Sequence, residues 1–461
     1  MTSRPVINPA NGEPCGSQPD TSPEQLETIL QDAQQAFLQW RDEEPARREA
    51  LRRCGKAISN RRTASDLAKL LTREQGKPFK EALGEVYGVS HWFTAAADLP
   101  LTPPQIADRP HVSAVYQPLG VTAAITPWNY PLLLAASKIA PALLAGNVVV
   151  LKPSPFTPLS TARMVERLTE QPTSKTMAEP PLPAGVLQAA FGDGQLGRRL
   201  IDHPAVAKIT FTGSTQTGIA IARQAADRLG RVTLELGGND AGIVLADADI
   251  ETIAEPLFWA AFTNAGQFCV GLKRLYAHRS LYEPLVDKLA EIAESIQVGD
   301  GSQGGVQMGP ISNSPQYQRV TELVEQAAKN GGRIRTGGRA LEGPGYFYPP
   351  TIVTDLDDSE PLVAEEQFGP ALPVSPFTEE DEAVRRANAT TFGLGGSVWT
   401  ADDERGRQVA ERLECGTSWV NQHGVLDPWI PFNGHKLSGI GCENGELGVR
   451  EFMKLKVIHN G

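Results

Sequence analysis

The chain has 461 residues, 41% hydrophobic and 21% charged, with a formal net charge of -11. That length exceeds one compact core, so two or three domains are expected. The acidic balance disfavours a nucleic acid partner, whose phosphates want a basic face. Cys15, Cys54, Cys269, Cys415 and Cys442 are scattered, odd in number and without a C-x-x-C pair. This argues against a disulfide framework or a zinc site, and for a reducing, cytoplasmic setting. The first residues lack the apolar run of a signal peptide. The apolar stretch 131–150 is broken by Ser137, Lys138, Pro141, Gly146 and Asn147, so it reads as helix and strand rather than membrane span.

Residues 24–41 place Leu26, Ile29, Leu30, Ala33, Phe37 and Trp40 at helical spacing. Residues 46–72 and 77–98 read likewise, which gives three amphipathic scaffold helices. The proline-rich stretch 101–110 is an extended crossing, and 111–117 alternates like a strand. From Gly120 the pattern becomes strand, turn, helix. Strands are expected at 121–126, 148–152, 186–190, 208–211 and 231–235, and helices at 132–145 and 159–168. Two more helices open at the glycine-bearing stretches 192–197 and 212–218, and the polar stretch 171–184 reads as a surface loop. A second series has strands at 241–245, 274–278, 351–353, 371–377, 396–400 and 417–421. Its helices fall at 250–263, 281–296, 315–329, 381–388 and 405–413. Such alternation argues for parallel sheets in doubly wound α/β domains, where ligands sit at the carboxyl ends of strands. The tail 451–459 alternates and reads as an edge strand that pairs elsewhere.

Several strand ends carry chemistry. The stretch FTNAGQFC at 262–269 offers the Cys269 thiol after a small, polar run. The stretch ELGGN at 235–239 offers the Glu235 carboxylate, followed by two glycines where backbone can approach a ligand closely. A covalent nucleophile and a base for a later hydrolysis fit such settings. A buried structural cysteine fits the first stretch equally well. TGSTQTG at 212–218 lies between a strand and a helix, where free N–H groups favour phosphate, though a plain helix cap has the same composition. It is neither G-x-G-x-x-G nor a Walker sequence. Lys152 ends a strand, as a phosphate or ribose contact or a solvated lysine. Asn129 lies in a proline-bracketed turn, as an oxyanion donor or a turn former.

Taken in order, PWNYP, LKPS, FTGSTQTG, LELGGND, FTNAGQFC, EEQFGP and PFNGHKLSGIG span essentially the whole chain, with 34 residues from Glu235 to Cys269. This sequence strongly resembles the NAD(P)-dependent aldehyde dehydrogenase superfamily. The resemblance implies a Rossmann-type cofactor domain, an α/β catalytic domain and a small β oligomerisation element. Cys269 matches the nucleophile that attacks an aldehyde carbonyl. Asn129 matches the donor that, with the Cys269 backbone N–H, holds the oxyanion. Glu235 matches the base that hydrolyses the thioester, and Lys138 a lysine beside the proton-exit route. NAD or NADP would be held by Ile125, Thr126, Trp128, Lys152, Ser154, Gly197, Gly213, Ser214, Gly218, Leu236, Glu366 and Phe368. No metal is implied.

Departures from the family pattern shape further expectations. Pro155 stands where many NAD-preferring members have a Glu that accepts the adenosine 2′-OH, so NADP should be tolerated. Asn239 replaces a usual Lys, Asn433 a usual Gly, and Cys442 stands where Arg is common. The resemblance implies that Tyr130, Leu134, Ser137, Phe268, Val270, Trp429 and Phe432 line the substrate tunnel, where Phe268, Trp429 and Phe432 would make an aromatic wall suited to an apolar or aromatic aldehyde. The expected division is 1–98 with 119–237 for the cofactor, 238–446 for catalysis, and 99–118 with 447–461 for assembly as a homodimer or homotetramer. The rivals are a coenzyme A-acylating relative and a non-catalytic protein on the same scaffold.

Overall fold

The computed structural model describes residues 3–106, 111–170 and 179–460. The extended crossing and the surface loop expected from the sequence therefore lie partly outside the described residues. The first sheet has six strands, in the order Gly439–Ile440, Arg231–Glu235, Val206–Thr212, Val121–Ile125, Val148–Lys152 and Leu187–Ala189. The last five are parallel, and Gly439–Ile440 pairs antiparallel at the edge. Val121–Ile125 and Val148–Lys152 are buried at every residue, as a sheet covered on both faces requires.

The second sheet has seven strands, in the order Arg333–Thr336, Thr351–Thr354, Ala371–Phe377, Leu272–His278, Asp240–Val244, Gly395–Trp399 and Thr417–Val420. All but the first of these run parallel. A doubly wound α/β architecture follows, as the alternation implied. The late pair Gly439–Ile440 ties the segment after the second sheet to the first sheet.

The registers decide where chemistry collects. Ile125 pairs with Lys152 on one side and Phe211 on the other, and Thr212 pairs with Glu235. The turn after Ile125, Lys152, the glycine turn after Thr212, and Glu235 therefore share the carboxyl edge of the first sheet. From Glu235 the chain crosses Leu236 to Asn239 and enters the second sheet at Asp240. Asp240 pairs with Leu272, just after Cys269, so that crossing brings thiol and carboxylate to one seam between the sheets.

Three sequence expectations need correction. Residues 46–72 form two helices, Glu44–Ser59 and Arg61–Gln75, because Asn60 leaves helical backbone and its side chain caps the N–H groups of Arg62 and Thr63. An N-terminal hairpin, Ser3–Ile7 with Pro14–Pro19, was not foreseen, since prolines and short length hide its alternation. Arg333–Thr336, with no buried residue, is a further strand missed. The tail strand Met453–His459 does pair elsewhere, antiparallel to Val112–Pro118. Among the described residues, no helix is long and apolar enough to cross a membrane.

Candidate active site

Cys269 follows a strained turn. Asn264, Ala265 and Gly266 all have positive φ, at 53°, 54° and 71°. Two consecutive non-glycine residues there cost energy that surrounding contacts must offset. Those contacts are present. Asn264 Nδ2 donates to the Asn129 carbonyl at 2.9 Å, and Gln267 Nε2 donates to the Asn264 carbonyl at 2.8 Å. Lys273 Nζ donates to the carbonyls of Gly266 and Phe268, at 2.9 and 2.7 Å. The loop thus presents Cys269 half-buried on a rigid base.

Asn129 sits in the turn before the helix Pro131–Leu144, and its Nδ2 donates to the Gln267 carbonyl at 3.0 Å. That bond uses one of its two N–H groups. Burial, then the Glu366 carboxylate, pushes the Cys269 thiol up to about 12. The environment therefore favours thiol, not thiolate, in this state.

Glu235 is buried, and among the described residues neither of its carboxylate oxygens has a hydrogen-bond partner. Burial, followed by repulsion from Glu443, holds its pKa well above the usual range, and Lys138 acts in the opposite sense. Lys138 and Glu443 form a buried ion pair, and Ser137 Oγ lies 3.5 Å from Glu443. An unpartnered carboxylate with a raised pKa is suited to take a proton from water. The signs give a test. Glu443→Gln removes a negative neighbour, so the acid limb of the kcat profile should move down by ~1 pH unit, a ~1.4 kcal/mol effect. Lys138→Met should move it up. Shifts in the same direction for both variants would refute the assignment.

Most of the dinucleotide candidates lie at or after the strand ends of the first sheet, while Glu366 and Phe368 come from the segment that leads into Ala371–Phe377 of the second. Ser214 caps the helix Thr215–Ala226, accepting the Thr217 N–H at 3.3 Å. A Cβ on Gly218 would lie 2.3 Å from the Leu236 side chain, and one on Gly213 would lie 2.4 Å from the Phe211 ring tip, so a side chain at either position would have to push its neighbour aside. The N–H groups of that helix start suit a pyrophosphate. Lys152 is buried with its Nζ 3.2 Å from the Pro153 carbonyl, and burial lowers its pKa to about 8. Thr126 N–H donates to the Lys152 carbonyl at 3.1 Å. A Cβ on Gly197 would meet the Lys152 stem at 3.7 Å. Ser154 accepts the Phe156 N–H at 3.3 Å. Glu366 Oε1 accepts the Gly238 N–H at 3.0 Å, and burial raises its pKa to about 7. The Trp128 and Phe368 rings meet edge to face at 5.5 Å. These groups fit a dinucleotide: N–H donors and a cation for phosphate and ribose, and a carboxylate for a sugar hydroxyl.

The substrate candidates divide. The Tyr130 and Phe268 rings lie 5.1 Å apart, and Leu134 is half-buried one turn along the helix. Val270, Leu394, Trp419 and Phe432 form a buried cluster against which Phe268, Cys269 and Leu426 pack. Val270 is fully buried in that cluster, so it backs the thiol. Ser137 is buried, its Oγ donating to the Leu134 carbonyl at 3.1 Å and lying 3.5 Å from Glu443, and Trp429 is 44% exposed and outside the cluster. Sequence reasoning missed Trp419, Leu394, Lys77, Glu85 and Lys273, and gave no role to Asn264, although that residue lies inside the polar stretch 262–269.

A thiol, an unpartnered acid and a helix start with free N–H groups thus collect where two doubly wound α/β sheets meet. Comparisons with known proteins sharpen this. The profile of the aldehyde dehydrogenase family matches residues 2–458. A phenylacetaldehyde dehydrogenase of Pseudomonas fluorescens is 38% identical, covering 97% of this chain and 90% of its own. The structure of a point mutant of Staphylococcus aureus betaine aldehyde dehydrogenase with NAD+ superposes with a TM-score of 0.92 at 32% identity, covering 99% and 94% of the two chains. An NADP-dependent enzyme of E. coli superposes at 0.93 with 33% identity, covering 100% and 95%. This chain belongs to the aldehyde dehydrogenase family, and it is an oxidoreductase of that kind.

Proposed function

We propose that the protein oxidises an apolar or aromatic aldehyde to a carboxylic acid, with Cys269 as nucleophile and Glu235 as hydrolytic base. The observation that carries this reading is the unpartnered, buried Glu235 carboxylate beside the seam that holds Cys269. The Cys269 thiol gives its proton to solvent as its sulfur adds to the carbonyl carbon, and the carbonyl oxygen becomes an oxyanion that the second N–H of Asn129 would hold. NAD or NADP, held by Lys152, Ser214, the 213–218 turn and Glu366, supplies the hydride acceptor. Loss of hydride from the former aldehyde carbon leaves a thioester on Cys269. Glu235 takes a proton from water as that water attacks the thioester, the C–S bond breaks, and the proton passes from Glu235 to the leaving sulfur, so the acid and the Cys269 thiol are released. Lys138 and Glu443 set the proton affinity of Glu235.

Tyr130, Phe268 and the apolar cluster under Cys269 support an apolar or aromatic substrate. The relatives include enzymes named for phenylacetaldehyde and for betaine aldehyde. A panel of aldehydes crossed with NAD and NADP, followed by reduced-nicotinamide absorbance, tests the reading. Turnover of none of them would sink it.

Pro155 offers no carboxylate, and the nearby Lys152 can pair with a 2′-phosphate. The ratio of kcat/KM for NADP over NAD should therefore exceed about one in a thousand, which corresponds to ~4 kcal/mol. A smaller ratio means that another group excludes the phosphate. The expected division also stands as a proposal: 1–98 and 119–237 for the cofactor, 238–446 for catalysis, 99–118 and 447–461 for assembly. The tail strand exposes Leu455, Val457 and Ile458, which supports a homodimer or homotetramer. Light scattering that gives a monomer mass at micromolar concentration would refute assembly.

A further inference from the structure

We propose that Lys77, held by Glu85, is the positioning residue of the oxyanion donor Asn129. The proposal rests on the aldehyde-oxidising reading above. The region around Lys77 reads as scaffold in the sequence, and in the fold it grips both halves of the active site.

Lys77 is fully buried. Its Nζ donates to Glu85 Oε2 at 2.5 Å and to the Asn129 carbonyl at 2.9 Å, and lies 3.7 Å from the centroid of the Tyr130 ring. The ammonium is therefore fully engaged, with two oxygens and an aromatic face. Glu85 spends its other oxygen on the Leu132 and Leu133 N–H groups, at 2.9 and 3.2 Å. The helix Pro131–Leu144 has no side-chain cap of its own, so Glu85 caps it from outside. One carboxylate thus fixes both the cation that holds Asn129 and the helix that begins two residues later.

The same segment reaches the Cys269 loop. Gln75 Nε2 donates to Asn264 Oδ1 at 3.0 Å, and Gln75 Oε1 accepts the Lys77 N–H at 3.0 Å. Asn264 Nδ2 then donates to the Asn129 carbonyl, which it shares with Lys77. Lys77 itself is fixed from behind. A Cβ on Gly309 would lie 2.2 Å from the Gly76 carbonyl, and one on Gly301 would lie 2.6 Å from the Lys77 carbonyl. The Gly76–Lys77 backbone is packed closely against Gly301 and Gly309.

The consequence is catalytic geometry. An oxyanion donor acts only within hydrogen-bond reach of the developing charge, and misplacement by ~1 Å costs ~100-fold in rate. Asn129 presents its amide from a turn whose carbonyl end is pinned by Lys77. Loosening that pin should slow attack on the aldehyde without changing the thiol or the hydrolytic base.

The test uses the pair Lys77→Met with Glu85→Gln, which removes both charges of the ion pair and keeps an acceptor for Leu132 and Leu133; Glu81, which Lys77 also faces, is left to burial and stays protonated. The readout is the pre-steady-state burst of reduced nicotinamide at saturating aldehyde and cofactor. The burst rate is expected to fall by ~10–100-fold, while iodoacetamide alkylation of Cys269 stays within about two-fold of wild type. Asn129→Ala alone should cost ~100–1,000-fold, and adding the neutral pair to it should cost no more than about three-fold further. A burst within two-fold of wild type, or losses that multiply in the triple variant, overturns the proposal. Should the neutral pair not fold, Lys77→Arg is read the same way, as Asn129→Ala with and without it. The wild-type burst and the Asn129→Ala loss report on the underlying function. The coupling between Lys77 and Asn129 reports on the positioning role alone.

Discussion

Glu235→Gln should release one equivalent of reduced nicotinamide per active site and then stall. The substitution keeps the shape of the side chain and removes its ability to take a proton. In the proposed mechanism, attack by Cys269 and hydride loss do not use that group, so the burst should persist at near wild-type rate. Steady-state turnover should fall by ~100–10,000-fold, the usual worth of a general base. Mass spectrometry of the stalled protein should show an acyl adduct on Cys269. A coenzyme A-acylating enzyme behaves differently: its turnover with coenzyme A survives loss of Glu235.

The same variant carries a stability signature. The folded pKa of Glu235 lies above its ordinary value, because burial opposes the charged form. For a carboxyl with a raised folded pKa, the stability it contributes is full below its unfolded pKa, ~4.3, and is lost as pH rises toward the folded value. The melting temperature of Glu235→Gln should therefore gain on wild type as pH rises from ~5 upward. A difference that does not change with pH would mean that the carboxylate is compensated in solution.

Much of this architecture is legible in the sequence because it rests on local signals. Strands such as Val148–Lys152 are short, β-branched and bounded by turns, and the glycines at 213, 218, 237 and 238 mark close backbone approach. A Cβ on Gly237 would lie 2.4 Å from Glu366, a contact that ties the crossing after Glu235 to a residue far along the chain. What sequence reading cannot supply is partnership across long separations. Lys77 and Asn129 are 52 residues apart, and Gln75 and Asn264 are 189 apart. Neither pair has a spacing that periodicity detects, so the first hundred residues look like scaffold alone. Asn239 is a similar case: its departure from the family lysine was visible, but its bond to the Val363 carbonyl at 2.9 Å was not. The left-handed run at Asn264 and Ala265 was also hidden, because alanine gives no hint of positive φ.

Cys269→Ala should abolish aldehyde oxidation by ~10,000-fold or more, the scale on which loss of a covalent nucleophile is felt. Cys269→Ser should fare little better, since a hydroxyl is a far weaker nucleophile than a thiol. NAD(P) affinity should stay within about two-fold, because Lys152, Ser214 and Glu366 are untouched. Thiol acidity does not single out this cysteine. Burial first pushes Cys15 and Cys442 up to about 11, and Cys415, like Cys269, up to about 12. Place singles it out: Cys269 packs on the apolar cluster of Val270, Trp419 and Phe432, in a loop locked to Asn129. Alanine at the other four positions should leave kcat/KM within about three-fold. The raised pKa also sets a signed pH dependence. Without cofactor, the thiolate fraction of Cys269 grows tenfold per pH unit, so its iodoacetamide alkylation rate should climb without a plateau from pH ~7 to ~9.5. A plateau near neutrality would show a thiol already activated in the free protein. Glu366→Gln removes the carboxylate that most opposes the thiolate electrostatically, so alkylation should accelerate while NAD(P)-dependent turnover falls. Opposite movement of those two rates separates the acidity of the thiol from the catalysis it performs.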